Sequence, residues 1–505
     1  MKSNLKKGLL APVLFLFAIA NSPGQNGNLG IFENHLDIGQ VKNHGFVNFD
    51  PVDQQYLIGG AGENMWAGKD ELHYLWKSIQ GDFIARAEVS FIGEGVDPHR
   101  KVGWTIRDNL STGSAMVNAT VHGDGLTSLQ FRRSTGAETE EVKSSDQSPE
   151  VIQLERRGGT YIMSTGKFGE ALQSVQLEME LRNEAFLGIY VCSHNPDVME
   201  RAVFRNVRII KPPAADYQPY QDYIGSHLEI MDIATGNRKI LASSAHSIQA
   251  PNWTTDGKTL LFNSNGFLYN YDLADGKIRQ LNTGFANRNN NDHVISFDGN
   301  MVAISHHNPA DNGASSLYTM PISGSDNPKK ITKDGVGNSY LHGWSTDHKF
   351  LVFTGNRKDR YDIYKVSVET GEETQLTDQP TLDDGPEYSP DGAYIYFNSA
   401  RSGMMKLWRM KPDGTQKEQV TFGDTYNDWF PHISPDNKWI VFLSYGTDVE
   451  PSDHPFYKHV VLRLMPVAGG EPKIVGYVYG GQGTINVPSW SPDSKKIAFV
   501  SNTAF

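Results

Sequence analysis

The chain has 505 residues, a length that fits two to four domains, and its 46 Lys and Arg against 58 Asp and Glu leave a net charge of −12. That balance argues against a nucleic-acid binder, which needs a basic surface to neutralise phosphates, and a single cysteine, Cys192, excludes an internal disulfide framework. With 49 Gly, 25 Pro and 11% aromatics, the composition speaks for strands and tight turns rather than long helical bundles.

The N-terminus reads as an export signal over residues 1–24. Lys2, Lys6 and Lys7 precede the apolar run Leu9 to Ala20, and Ser22, Pro23 and Gly24 follow it. The run is too short to span a bilayer comfortably. No cysteine follows it, which argues against a lipid-attached protein. The expectation is a cleaved signal and a soluble protein in the periplasm or outside the cell, with no membrane insertion.

Residues 26–211 alternate apolar and polar side chains in long strands: GDFIARAEVSFIG (81–93), KVGWTIRD (101–108), SLQFRRS (128–134), VIQLERRGGTYIMSTG (151–166), FLGIYVCSHNP (186–196) and RAVFRNVRII (201–210). Period-two runs of this length with polar turns predict a two-sheet sandwich. Residues 212–223 are a linker whose prolines favour an extended path. It is short enough that the flanking domains should touch.

From residue 224 to the end one theme recurs six times: NWTTDGKTLLF, VISFDGNMVAI, GWSTDHKFLVF, EYSPDGAYIYF, HISPDNKWIVF and SWSPDSKKIAF. The turn aspartates are Asp256, Asp298, Asp347, Asp391, Asp436 and Asp493, spaced 42, 49, 44, 45 and 57 residues apart. Each unit combines a tight turn with an alternating strand, and further strands follow in DIYKVSVETGEETQLT (362–377) and KLWRMKPDGTQKEQVT (406–421). Four short antiparallel strands per unit make one blade of a propeller. The sixth unit has only two strands, and HLEIMDIATGNRKIL (227–241) supplies the missing pair, closing the ring through both chain ends.

These repeats resemble those of the TolB-like six-bladed β-propellers, and the resemblance covers about residues 220–505. The order of strands in residues 26–211 looks like a concanavalin-like or laminin-G-like jelly roll, as found in glycan-binding modules. The expected fold is therefore all-β: an N-terminal jelly-roll β-sandwich and a C-terminal six-bladed β-propeller over 224–505. The family resemblance leaves function open, because TolB-like propellers include non-catalytic interaction proteins, domains of peptidases and oligogalacturonate lyases.

In a propeller the segment entering each innermost strand lines one mouth of the channel. Aligned on the turn aspartates, the repeats place Pro251, His293, His342, Pro386, Pro431 and Pro488 at one position, and Asn252, Val294, Gly343, Glu387, His432 and Ser489 at the next. Asp292, Asp384, Asp428 and Asn486 lie just upstream, while His306, His307, Arg357, Arg401 and Tyr445 leave the second strands toward the same face. Imidazoles with carboxylates suit a divalent cation, and arginines suit a substrate carboxylate. The reading therefore expects His293, His342, His432, Glu387 and His307 as ligands of a divalent metal (Mn, Ca or Zn), with no nucleotide. It expects His342, His432, Tyr445, Arg401 and Arg357 as catalytic groups acting on an acidic polysaccharide. Asp384, Asp428, Gln482, His459, Trp104 and Arg107 are expected to touch substrate. Oligogalacturonate lyases are similar in having a histidine-rich, metal-containing mouth.

Each of these residues also has a structural role available. Histidines before an inner strand plug the channel by hydrogen bonding, turn aspartates cap turns, and Trp344, Trp408 and Trp490 fit blade packing. In the sandwich, Trp66, Trp76, Trp104, Arg107, His122 and Arg132 fit either a sugar-binding face or core. The segment 453–466, with His454, Tyr457, Lys458 and His459, is expected to cover the mouth or a blade edge. The sequence shows no HExxH, GxSxG, P-loop or dinucleotide fingerprint. Two function classes remain: a glycan-binding protein with metal-assisted lyase or hydrolase chemistry at the propeller mouth, and a non-catalytic scaffold that grips a peptide or an envelope protein.

Overall fold

The computed structural model describes residues 27–505, so the expected signal segment lies outside the described residues. Among those described, no helix is long and apolar enough to cross a membrane, and the structure is almost wholly strand.

The N-terminal region forms two antiparallel seven-stranded sheets. One has the central strands Leu72–Gln80, Glu184–Cys192, Lys101–Arg107 and Met116–His122, and the other is built around Val151–Arg157, Phe83–Phe91 and Glu200–Ile210. Both contribute to one apolar core: Leu75, Trp104, Ile106, Val117, Leu129 and Ile189 from the first meet Phe83, Ala85, Ile152, Leu154, Met163 and Phe204 from the second. Alternation explains the pattern, since every second residue of each strand faces the partner sheet. The opposite face of the first sheet is covered too. There Asp70 is clamped by Arg132 and Arg107, each at 2.8 Å, and all three are fully buried.

The second region is a six-bladed propeller. Five blades are complete four-stranded sheets, starting at Gln249–Trp253, Asn289–Ile295, Ser339–Trp344, Asp383–Tyr388 and Tyr426–Ile433. The sixth joins Lys496–Asn502 to Ser226–Asp232 and Arg238–Ser244, with an inner bridge between Trp490 and Ile497. Seven residue pairs between the first and last strands of the propeller close the ring, so both ends of the domain depend on each other.

The six turns share one hydrogen-bond design. A hydroxyl donates to the turn aspartate (Thr254–Asp256, Ser296–Asp298, Ser345–Asp347, Ser389–Asp391, Ser434–Asp436, Ser491–Asp493; 2.6–2.7 Å) and accepts the amide five residues on. The aspartates are therefore structural. Trp344 and Trp490 join neighbouring blades by donating to the Val294 and His432 carbonyls, each at 2.9 Å.

The two regions are packed together. Ile84 and Ile210 meet Phe456, Tyr457 and Tyr479, and Val151 meets Ile474 and Tyr477. Beside them, Arg208 from the first region and Arg238 from the propeller converge on Glu229 at 2.6 and 2.8 Å, all buried.

Candidate functional site

Every complete blade's inner strand carries a β-bulge where it passes the channel, and the bulge decides which side chains turn into the mouth. In the blade of Ser339–Trp344 one extra residue separates the pairs Leu341↔Phe353 and Gly343↔Val352, and that residue is His342. In the blade of Asn289–Ile295, Asn289↔His306 and His293↔Ile304 are four residues apart on one strand and two on the other, so two residues are extra. The additional residue shifts the register by one relative to the other blades. His293 is consequently paired in the ladder, fully buried, with Nε2 donating to the Leu261 carbonyl at 3.2 Å, while Asp292 faces the mouth.

The mouth is a cavity of about 850 Å³. Its walls are rich in amides: Gln249, Asn263, Asn265, Asn289, Asn290, Asn291, Gln482 and Asn486. Rings from Tyr340, Tyr361 and Phe430 stand among them. The rim is completed by segments outside the inner strands. Tyr220 and Tyr223 from the interdomain linker both pack edge-on against Phe456, with centroids 5.6 and 5.4 Å away. The Ile224 amide donates to the Tyr457 hydroxyl at 3.0 Å, tying the linker to the 453–466 segment. That segment is thus divided: His454 and Phe456 line the mouth, whereas His459 sits on the first region between Glu155 (3.2 Å) and Arg86 (3.3 Å).

At one side of the cavity stand Asp292, His342 and Asp384. His342 Nε2 is 3.3 Å from Asp384 Oδ1, which also accepts the Thr354 hydroxyl at 2.5 Å, and Asp384 Oδ2 is 3.8 Å from His454 Nε2. Burial opposes the charge on each. For Asp384 the hydrogen bond and charge of His342, with His454 and Thr354, outweigh it and hold the carboxyl well below the usual range. For His342, burial pulls down, but the Asp384 hydrogen bond and the charges of Asp292 and Asp384 raise it above its ordinary value. Asp292 lacks such support: burial pushes it up to about 7, against the opposing pull of His342 and with a further push from Asp384.

Several expected site residues lie elsewhere, each for a stated reason. Arg357 reaches Glu373 at 2.8 Å, and Arg401 holds both Asp383 oxygens at 2.7 and 2.9 Å, so neither guanidinium is presented at the rim. Tyr445 is fully buried and donates to the Pro455 carbonyl at 3.0 Å; burial raises its hydroxyl well above the ordinary value. Asp428 is buried against Ser444 and Arg463 at 2.7 and 3.1 Å. His432 Nδ1 donates to Glu387 at 2.6 Å and its Nε2 meets the Ile485 carbonyl. Glu387 lines a second opening, toward the turn face, with Asn252, Val294 and Gly343. Trp104 is core, and Arg107 and Arg132 are spent on Asp70, so the expected sugar face of the first region is internal at these positions. His122 is also buried, within 3.1 Å of Gln130. His342, His307, Asp384 and Gln482 do line the mouth, and His307 Nδ1 donates to the Gly313 carbonyl at 3.1 Å.

The five residues expected to hold a metal are distributed over different places: His342 and His307 line the mouth, Glu387 lines the second opening, and His293 and His432 are buried. Among the described residues, no three His, Cys, Asp or Glu side chains form a metal-ligating group.

Tyr220, Tyr223 and Phe456 line the mouth without being marked by the repeat alignment, whereas Asp292 is among the residues that alignment places there. A tyrosine at every third linker position (Tyr217, Tyr220, Tyr223) is the signal available for the tyrosines, and nothing local marks the extra bulge residue that delivers Asp292.

The class that fold and site define is an all-β protein with a six-bladed propeller and an amide-lined mouth. A family model described as "TolB beta propeller domain" matches residues 327–451. An uncharacterized protein of Agrobacterium fabrum is 44% identical over 276 residues, which is 54% of this chain and 92% of that protein. A solved structure from Agrobacterium tumefaciens that carries TolB as a provisional name is 42% identical, with a TM-score of 0.53, and covers 56% of this chain and all of its own. The Tol-Pal system protein TolB of Francisella tularensis is 24% identical over 284 residues, and this chain spans 61% of its length. The chain belongs, through its propeller, to the TolB-like family.

Proposed function

We propose that the protein is a TolB-like binding protein acting outside the cytoplasm, whose propeller mouth holds a segment of an oligosaccharide. The N-terminal region, which we read as a concanavalin- or laminin-G-like jelly roll, is held against the propeller and fixes the linker that forms part of the rim. The observation that carries this reading is the lining of the 850 Å³ cavity: amides from several blades and exposed tyrosines from the linker. Planar amides pair with neighbouring hydroxyls, and aromatic faces pack on the apolar faces of sugar rings. A ligand cavity of this size buries most of a small ligand.

Binding is the primary role in this reading. Of the five residues expected to be catalytic, only His342 lines the mouth. No lysine or arginine is among the lining residues, which disfavours the acidic polysaccharide expected from the sequence.

A second reading has its own support. Family membership beside the Tol-Pal system protein TolB favours an envelope protein as the partner, with a peptide segment in the mouth, because amides also pair with peptide backbone. A glycan array probed with the full chain, and with Tyr220→Ala and Tyr223→Ala variants, separates the two. Binding to oligosaccharides that weakens about tenfold in either variant is expected. Absence of glycan binding, together with a partner protein captured by wild type but not by Phe456→Ala, would replace the glycan reading with the second. Shortened chains released from bound glycans would show that the mouth also turns over its ligand.

A further inference from the structure

The charges at the mouth are one-sided. Two carboxylates, Asp292 and Asp384, face the cavity, and no lysine or arginine does. Asp384 has its counter-charge in His342. Asp292 has no ion pair within the described residues, although it is only 5% exposed and contributes to the cavity wall. Its neighbours are the neutral amide of Asn290, the imidazole of His342, the Asp384 carboxylate and the phenol of Tyr340. Burial of this carboxylate is costly, because the pull of His342 and the hydrogen bond of Asn290 offset only part of its desolvation. A cationic ligand group of hydrogen-bonding size would provide that partner, with the amides around it accepting or donating to the rest of the ligand.

We infer that the mouth is selective for a sugar carrying a free, protonated primary amine, and that Asp292 receives that amine. The inference rests on the glycan reading above and narrows it: the ligand is an amino sugar with its nitrogen unacylated, rather than a uronic acid or a neutral hexose. Asp292 binds the ammonium by a charge-assisted hydrogen bond, the Asn290 amide flanks it, and His342 with Asp384 forms the polar wall behind. N-acetylation would remove the charge and add bulk at the same position. A uronate carboxylate would face Asp292 and Asp384, and the His342 imidazole beside them is already paired with Asp384.

Calorimetric titration of the full chain at pH 7.5 tests this with three probes: a glucosamine tetramer with free amines, its fully N-acetylated counterpart and a neutral glucose tetramer. The expected result is affinity for the free-amine tetramer at least about tenfold above the other two. In Asp292→Asn that advantage should disappear, while affinity for the N-acetylated tetramer changes less than about twofold. Equal or tighter binding of the N-acetylated or neutral tetramer to wild type would overturn the inference and leave the glycan reading standing. Absence of binding by all three overturns the inference, and absence across a wider glycan array overturns the glycan reading as well. The wild-type comparison does not depend on how well the variant folds.

Discussion

Asp292 and Asp384 show how the environment separates two identical side chains. Both are buried at one mouth, yet Asp384 accepts from Thr354 and lies beside two imidazoles, while Asp292 has an amide and a nearby like charge. The consequence for stability has a definite sign. A carboxyl whose folded pKa lies near 7, above the unfolded value near 4, favours folding while it is protonated. That contribution is complete below about pH 4 and is lost as pH rises through 7. Asp292→Asn should therefore match wild type at pH 4 and exceed it at pH 8 by a few kcal/mol, on the order expected for a shift of this size. Denaturant titrations at the two pH values check this, and an equal difference at both would contradict it. Burial sets the shift, His342 from the strand Ser339–Trp344 opposes it and Asp384 from Asp383–Tyr388 adds to it, with Tyr340 beside them.

At the scale of single elements, the bulges do the positioning. Three inner strands pass the channel with positive φ at Ala250, Gly385 and Phe430, each directly before a proline. Ala250 and Phe430 adopt this region at a cost that glycine avoids at Gly385. A side chain added at Gly385 would stand 2.5 Å from Asn398 Oδ1, the acceptor of the Phe430 amide, and 3.1 Å from the Phe430 ring. Gly385→Ala should lower stability by about 1–3 kcal/mol and weaken ligand binding by displacing Phe430 in the mouth. A denaturation midpoint and affinity both indistinguishable from wild type would refute this account of the bulge. The same element explains where sequence reasoning stopped. The repeats, their turns and the strand that closes the ring were legible because turn chemistry and alternation are local properties. The side chains entering the mouth were not, because His293 and His342 look equivalent when counted from the turn aspartates, and only the two-residue bulge at Asn290–Asp292 distinguishes them.

At the scale of the whole molecule, the linker and the interdomain contacts make the mouth a product of both regions. Glu229 holds Arg208 across the boundary and Arg238 beside it, and Asn206, at φ +49 in the irregular part of Glu200–Ile210, accepts from the Arg238 amide and donates to the Gly236 carbonyl. Removing the central carboxylate leaves two buried guanidiniums without their charge partner. Glu229→Gln should cost about 3–5 kcal/mol and split thermal unfolding into two transitions as the regions uncouple. One unchanged transition in calorimetry would show that the apolar contacts of Phe456, Tyr457 and Tyr479 suffice.

By itself, the sequence determined the all-strand architecture, the six-fold repeat and its closure through the two ends of the propeller, because each rests on periodicity and turn residues within a few positions. Tertiary structure alone decided which residues share the mouth. Arg357, Arg401 and Tyr445 turn inward because a buried charge or hydroxyl must find a partner, and those partners, Glu373, Asp383 and the Pro455 carbonyl, come from other strands and a loop. Tyr220 and Tyr223 reach the rim because the linker is pinned by Tyr457, more than 230 residues away in sequence. Distances of that kind are fixed by packing, which a linear pattern does not encode.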